Sequence, residues 1–159
     1  TGLPGEVCSK GWLMNGYLDQ PDKTAEVIDK QGWYHTSDMG FLDEKGYLRI
    51  LGRMQDAIRK QDRVIGPVEI ESVICQLPQV AEVQVFGLPL DQDGDEVAAW
   101  LRLKPGADLS AEAVLAHCRE FLDEVLVPDQ VRVVDKFPVS NAGKVQKAKL
   151  KEMALAMRK

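Results

Sequence analysis

The sequence is poor in the side chains that most often do chemistry: 159 residues hold three cysteines, two histidines and 6% aromatics. Cys8, Cys75 and Cys118 are odd in number and form no C-x-x-C pair, which argues against a disulfide framework or zinc site and for reduced thiols filling apolar gaps. Apolar runs such as Val97-Ala98-Ala99-Trp100-Leu101 fall far short of the roughly 18 residues that a membrane span needs. The opening Thr1-Gly2-Leu3-Pro4-Gly5 lacks a charged segment leading into an apolar stretch, so no secretory leader is expected. A cytoplasmic chain cut from something longer is the expectation. No G-x-S-x-G, H-E-x-x-H or G-x-x-x-x-G-K-[ST] occurs. Asp91, Asp93, Asp95 and Glu96 imitate half a calcium loop, but Trp100 stands where the closing carboxylate belongs. That run reads as a solvated turn. His35 and His117 read as structural or surface residues.

What is present is a globular composition, 45% hydrophobic and 28% charged, in a length slightly above the soft prior of about 150 residues per domain. Charge is unevenly spread. The net charge is −5, yet Asn141 to Lys159 carries six basic residues and one acid. The acidic remainder discourages nonspecific nucleic-acid binding. The basic tail, and a second cluster of Arg53, Arg59, Lys60 and Arg63, suit either solvated faces or a small polyanion such as a nucleotide.

Turn and periodicity signals divide the chain. Gly5 to Lys10 predicts a strand, Pro21 opens a helix at its first turn, and Trp33 to Thr36 is extended. Met39–Leu42 and Tyr47–Leu51 flank Asp43-Glu44-Lys45-Gly46 as a hairpin. This first third has strands without helical apolar faces, so it needs further strands to close a core. Beyond Gly52-Arg53, Ala57 to Ile65 predicts two short strands around a polar turn. Pro67 starts a helix with Ile70, Val73, Ile74 and Leu77 inward. Val80–Phe86, Val97–Leu103 and Val131–Val134 are expected strands. Ser110 caps a helix with Val114, Leu115, Cys118, Phe121 and Leu122 inward, and Gln146–Met157 is a last helix facing in with Leu150, Met153 and Met157. The order β-β-α-β-β-α-β-α makes a small α+β domain.

Three stretches carry a resemblance together: Gly32-Trp33-Tyr34-His35-Thr36-Ser37-Asp38-Met39-Gly40, Gly52-Arg53-Met54-Gln55-Asp56, and Ser140-Asn141-Ala142-Gly143-Lys144-Val145. Between them fall Gly66-Pro67-Val68-Glu69-Ile70-Glu71, Gly87-Leu88-Pro89 and Lys104-Pro105-Gly106, in the order and spacing of the C-terminal portion of adenylate-forming acyl-CoA synthetases. The sequence resembles that AMP-binding superfamily, in its fatty-acid or medium-chain ligase form, over nearly its whole length. The resemblance implies a β-rich end of the large AMP-binding domain at 1–52, a hinge at 53–56 including Gln55 and Asp56, and a mobile C-terminal AMP-binding domain at 57–159.

It also implies roles. Asp38 matches a ribose-binding carboxylate, a task suited to a group that accepts hydrogen bonds from both hydroxyls of a diol; without the match it reads as a turn aspartate. Arg53 falls beside the same nucleotide, where a fixed guanidinium fork can hold hydroxyl or phosphate oxygens. Lys144 matches a catalytic lysine whose ammonium offsets the repulsion between a carboxylate and ATP. Lys60, Gln61 and Asp62 fall on a CoA-facing segment. Expected substrates are a carboxylic acid, ATP (yielding AMP) and CoA, with Mg2+ accompanying ATP outside these residues. The phosphate loop and acyl pocket are expected upstream, in a missing N-terminal domain that the chain needs for turnover. The family usually has Gly where Ser37 stands, Asp or Lys at Gln55, one or two glycines within Arg59–Arg63, and often Lys at Leu126. A noncatalytic module of the same fold, or adenylation with transfer to a carrier-protein thiol, are the alternatives.

Overall fold

Local turn chemistry makes the first hairpin. Asp43 accepts hydrogen bonds through Oδ1 from the backbone N–H groups of Lys45 and Tyr47, at 3.0 and 2.9 Å. Its own N–H reaches the Tyr47 carbonyl, so the chain reverses within four residues. The computed structural model describes residues 2–90 and 94–158, and it divides into two units, Thr1–Gln55 and Asp56–Lys159.

In the first unit, β1 (Gly5–Ser9), β2 (Tyr34–Leu42) and β3 (Leu48–Arg53) form an antiparallel sheet in the order β1-β2-β3, and α1 (Pro21–Val27) lies between β1 and β2 in the chain. The two extended stretches expected at Trp33–Thr36 and Met39–Leu42 are one strand. Ser37, at φ 60°, and a register shift between Met39 and Gly40 interrupt its alternation, which is why the sequence pattern reads as two pieces. Gly40 sits where a Cβ would come 2.6 Å from the Arg49 carbonyl oxygen, so the hairpin needs a glycine there. Among the described residues of this unit the buried apolar side chains are Met39 and Leu51, while Leu3, Trp12, Leu18 and Tyr47 are exposed. Too little apolar surface is removed from water for these strands to close a core of their own.

In the second unit, β4 (Ile58–Lys60) and β5 (Arg63–Ile65) form a hairpin, followed by α2 (Pro67–Ile74), β6 (Val80–Pro89), β7 (Asp95–Leu103), α3 (Ala111–Phe121), β8 (Gln130–Val133) and α4 (Lys147–Ala156). This is the expected α+β order. β7 is central, antiparallel to β6 and parallel to β8. Its odd residues Val97, Ala99 and Leu101 pack with Ile70, Ile74, Val114 and Cys118 from α2 and α3. Its even residues Ala98 and Trp100 pack with Phe86, Phe137 and, from α4, Leu150 and Ala154. A strand covered on both faces has no polar side to show, which explains the unbroken apolar run at 97–101. Trp100 meets Phe86 edge-on with ring centroids 5.7 Å apart, a favoured aromatic geometry.

Several side chains depart from expectation. Phe121 is exposed, at the last turn of α3, where it tilts over His117 instead of entering the core. Met153 and Met157 are exposed, and α4 buries Leu150 and Ala154, one helical turn apart. That i, i+4 stripe is narrow, so the flanking methionines remain in solvent. Asp95 and Glu96 belong to β7 and not to a solvated turn; Asp91 and Asp93 lie outside the described residues. No described helix is long and apolar enough to cross a membrane.

Candidate functional site

Lys144 follows a tight turn that is closed by its own backbone. Gly143 N–H donates to the Ser140 carbonyl at 2.9 Å, and Ser140 N–H donates to the Lys144 carbonyl at 2.8 Å. Val139 and Val145 pair across the loop, and Gln146 N–H reaches the Pro138 carbonyl at 2.8 Å. Gly143 takes φ 76°, with open space where a Cβ would stand; it is the left-handed backbone, not crowding, that favours glycine. The Lys144 side chain is exposed, and no carboxylate among the described residues pairs with it.

Lys147, three residues on, is placed quite differently. Its ammonium lies 3.2 Å from Glu71 Oε1 and 3.2 Å from the Val85 carbonyl, and the same Glu71 oxygen accepts the Val85 N–H at 2.9 Å. Both side chains are about four-fifths buried, at 20% and 21% exposure. The arrangement ties the start of α4 to α2 and β6, so it anchors the base of the Lys144 loop. Sequence reasoning missed it. Glu71 and Lys147 both lie in or beside the quoted motifs, but nothing in their 76-residue separation announces a contact.

Asp38 and Arg53, expected to serve one ligand, are brought together. They are direct cross-strand partners in β2 and β3, with Arg53 Nε 3.2 Å from Asp38 Oδ1. Arg53 Nη1 also donates to the Thr36 carbonyl at 3.0 Å, and Thr36 Oγ1 accepts the Asp38 N–H at 3.0 Å. Both remain partly open, with side-chain exposures of 57% for Arg53 and 35% for Asp38, so each keeps hydrogen-bonding capacity for a ligand. Gln55 and Asp56 lie in a single 3-10 turn, Met54–Asp56.

The expected CoA-facing residues split. Lys60 is held by both oxygens of Asp129, at 2.8 Å each. Asp129 Oδ2 also takes the Val97 N–H at 2.7 Å. This lysine is a structural tie between β4 and the start of β8. Gln61 and Asp62 form the exposed tip of the β4–β5 hairpin. Gln61 has φ 54°, at the first of two central positions, where a tight hairpin favours glycine. Beside the tip lies an open cleft of about 760 Å³, lined by Lys60, Gln61, Arg119, Leu122 and Asp129 among others.

Three other titratable side chains have defined surroundings. His117 Nε2 lies 3.1 Å from the Val73 carbonyl. Burial raises the Cys118 thiol to about 11. His35 is bracketed by Glu6 and Asp29, at 2.7 and 3.6 Å, and stays protonated to higher pH chiefly through its hydrogen bond to Glu6.

The fold is similar to the C-terminal portion of solved adenylate-forming enzymes. Residues 69–144 match the model of the AMP-binding enzyme C-terminal domain. The chain is 39% identical over 150 residues to mitochondrial medium-chain acyl-CoA ligase ACSF2 of Bos taurus, which covers 94% of this chain and 24% of that protein. Two solved structures share the architecture at 34% identity. ATP-bound MatB from Rhodopseudomonas palustris gives a TM-score of 0.83, over 99% of this chain and 32% of that one. The amide bond synthetase McbA from Marinactinospora thermotolerans gives 0.84, over 96% and 31%. The chain spans about a quarter to a third of the length of these relatives.

Proposed function

We propose that this chain is the C-terminal part of an ATP-dependent acid–thiol ligase, with Lys144 as its catalytic residue. In the first half-reaction a carboxylate oxygen attacks the α-phosphorus of ATP. The new C–O–P anhydride forms as the bond to pyrophosphate breaks and its electrons leave with pyrophosphate. Two anions must meet, and an ammonium between them stabilises the charge that develops on the phosphoryl oxygens. The observation that carries the reading is the contrast between Lys144 and Lys147. One cation is internally neutralised, and the other stands unpaired at a stiffened turn.

Asp38 and Arg53 hold the nucleotide in this reading. Asp38 accepts from the ribose hydroxyls and Arg53 donates to hydroxyl or phosphate oxygens, their mutual ion pair pre-setting both side chains. Residues 53–56, with Gln55 and Asp56, are the pivot on which residues 57–159 turn relative to the large domain, to which 1–52 belong. Pivoting withdraws Lys144 after the adenylate forms and admits the acyl acceptor. With CoA as acceptor, its sulfur bonds to the acyl carbon, AMP leaves with the C–O electrons, and the thiol proton passes to solvent. A fatty acid is the substrate favoured by the likeness to a medium-chain ligase.

A second reading keeps adenylation and changes the acceptor, to a carrier-protein thiol or an amine. The amine is favoured by Asp62 at the hairpin tip, whose carboxylate repels a thiolate from either source, and by the likeness to an amide bond synthetase. Joined to its upstream part, the protein should catalyse acid-dependent exchange of pyrophosphate into ATP. The isolated chain should not, and exchange by the isolated chain, abolished in Lys144→Ala, would refute the division of labour.

A further inference from the structure

The sequence spacing of cysteine and histidine gives no sign of a metal site, yet the fold assembles a mixed donor set in the first unit. Cys8 and His35 are direct partners across β1 and β2, with Sγ 3.6 Å from Nδ1. Glu6, two residues before Cys8, places Oε2 2.7 Å from the same Nδ1. All three donor atoms lie within 4.8 Å of one another. The other imidazole nitrogen, Nε2, faces Asp29 Oδ2 at 3.6 Å. Asp29 is itself oriented, because its Oδ1 accepts the N–H groups of Gln31 and Trp33 at 2.8 and 2.9 Å. Likewise Glu6 Oε1 accepts the Ser37 N–H at 3.1 Å.

The geometry points to a Zn2+ site formed by Glu6, Cys8 and His35 Nδ1, with Asp29 orienting the imidazole from its far side. Tetrahedral zinc bonds of about 2.3 Å to sulfur and 2.0 Å to nitrogen put those two atoms roughly 3.5 Å apart, close to the separation observed. The Glu6 oxygen must move back from its hydrogen bond by about 0.7 Å to reach the roughly 3.4 Å that two ligands on one zinc require. A carboxylate behind a ligating histidine fixes its tautomer and raises its basicity. Three protein ligands leave the fourth position to water. The donor set excludes Mg2+ as occupant, since that ion takes hard oxygen ligands and a thiolate is soft. The role is a staple. A unit that buries only Met39 and Leu51 among its described apolar side chains gains most from a metal cross-link between β1 and β2.

The test uses the complete protein, its upstream part included and free of any affinity tag, titrated with Co2+ as an optical probe and then with Zn2+. The expected result is one equivalent of Co2+ with a thiolate-to-metal charge-transfer band, displaced by Zn2+. The band should vanish in Cys8→Ser and persist in Cys75→Ser, and Asp29→Asn should weaken binding about tenfold. Far-UV circular dichroism of each variant confirms that the sheet survives; if Cys8→Ser unfolds, His35→Gln takes its place. Absence of the band, its persistence in Cys8→Ser, or its loss in Cys75→Ser would each overturn the site, as would binding of several equivalents indifferent to Cys8, which marks an adventitious ion only.

Discussion

Replacing Glu71 by alanine removes one half of a largely buried pair and strands the other. Lys147 would keep the Val85 carbonyl as its sole partner, and the Val85 N–H would lose its acceptor. Breaking a fully buried pair in this way costs about 3–5 kcal/mol. Both side chains retain about a fifth of their exposure, so water reaches the stranded ammonium and the loss falls to roughly 2–3 kcal/mol. For a unit of about 100 residues, each kcal/mol moves Tm by roughly 4–8 °C. Glu71→Ala should therefore melt on the order of 10–20 °C lower. Lys147→Met is the informative companion. It keeps the aliphatic stem but strands the Glu71 carboxylate with the Val85 N–H as its one partner, so the same reasoning gives a similar loss of roughly 2–3 kcal/mol. Urea unfolding followed by far-UV circular dichroism measures both. If either variant melts within a degree or two of the parent, the pair does not anchor the loop.

Three further outcomes follow from local geometry. Gln61→Gly relieves a left-handed residue that costs about 1–2 kcal/mol, less the entropy that glycine adds to the unfolded chain; a net gain of under about 1 kcal/mol should raise Tm by a few degrees, and a fall would contradict the strain. Cys118, buried and with its thiol raised to about 11, should resist alkylation at pH 8 in the folded chain while exposed Cys75 reacts; mass mapping of the labelled peptides decides. Backbone donors at Tyr47, then Lys45, with Arg49 beside them, hold Asp43 below its ordinary value despite desolvation. A depressed folded pKa contributes stability present above the unfolded value, near pH 4, and lost as pH falls through the folded one. Asp43→Asn should flatten that acid limb in a pH series of urea midpoints, and an unchanged slope would discount the turn.

Features set by neighbouring residues were legible in the sequence, and those set by distant ones were not. The Asp43–Gly46 hairpin, the Ser110 cap and the apolar stripe of α2 depend on contacts within a few residues, so residue type alone announces them. The run 97–101 announces a strand without saying that it is central. Pairings across strands and between helices carry no local mark: Cys8 opposite His35, Asp38 opposite Arg53, and Glu71 with Lys147. Motif order brought Asp38, Arg53 and Lys144 into view as a group, whereas burial and pairing are what separate Lys144 from its neighbour Lys147. The α4 face was misjudged because two methionines outweigh one alanine on any hydropathy scale, yet Ala154 is the residue that fits against Leu150 and the sheet.

The most direct test of Lys144 is a pair of single-turnover measurements on the complete enzyme, wild type against Lys144→Ala. One follows formation of acyl-AMP from acid and ATP. The other starts from presynthesised acyl-AMP and follows transfer to the acceptor thiol. Loss of one well-placed charge-stabilising group costs about 10²–10³ in rate. The adenylation step should fall by that factor with ATP still bound, and the transfer step should hold near its original rate. Equal loss in both steps, or full-speed adenylation without the amine, would contradict the role given to Lys144.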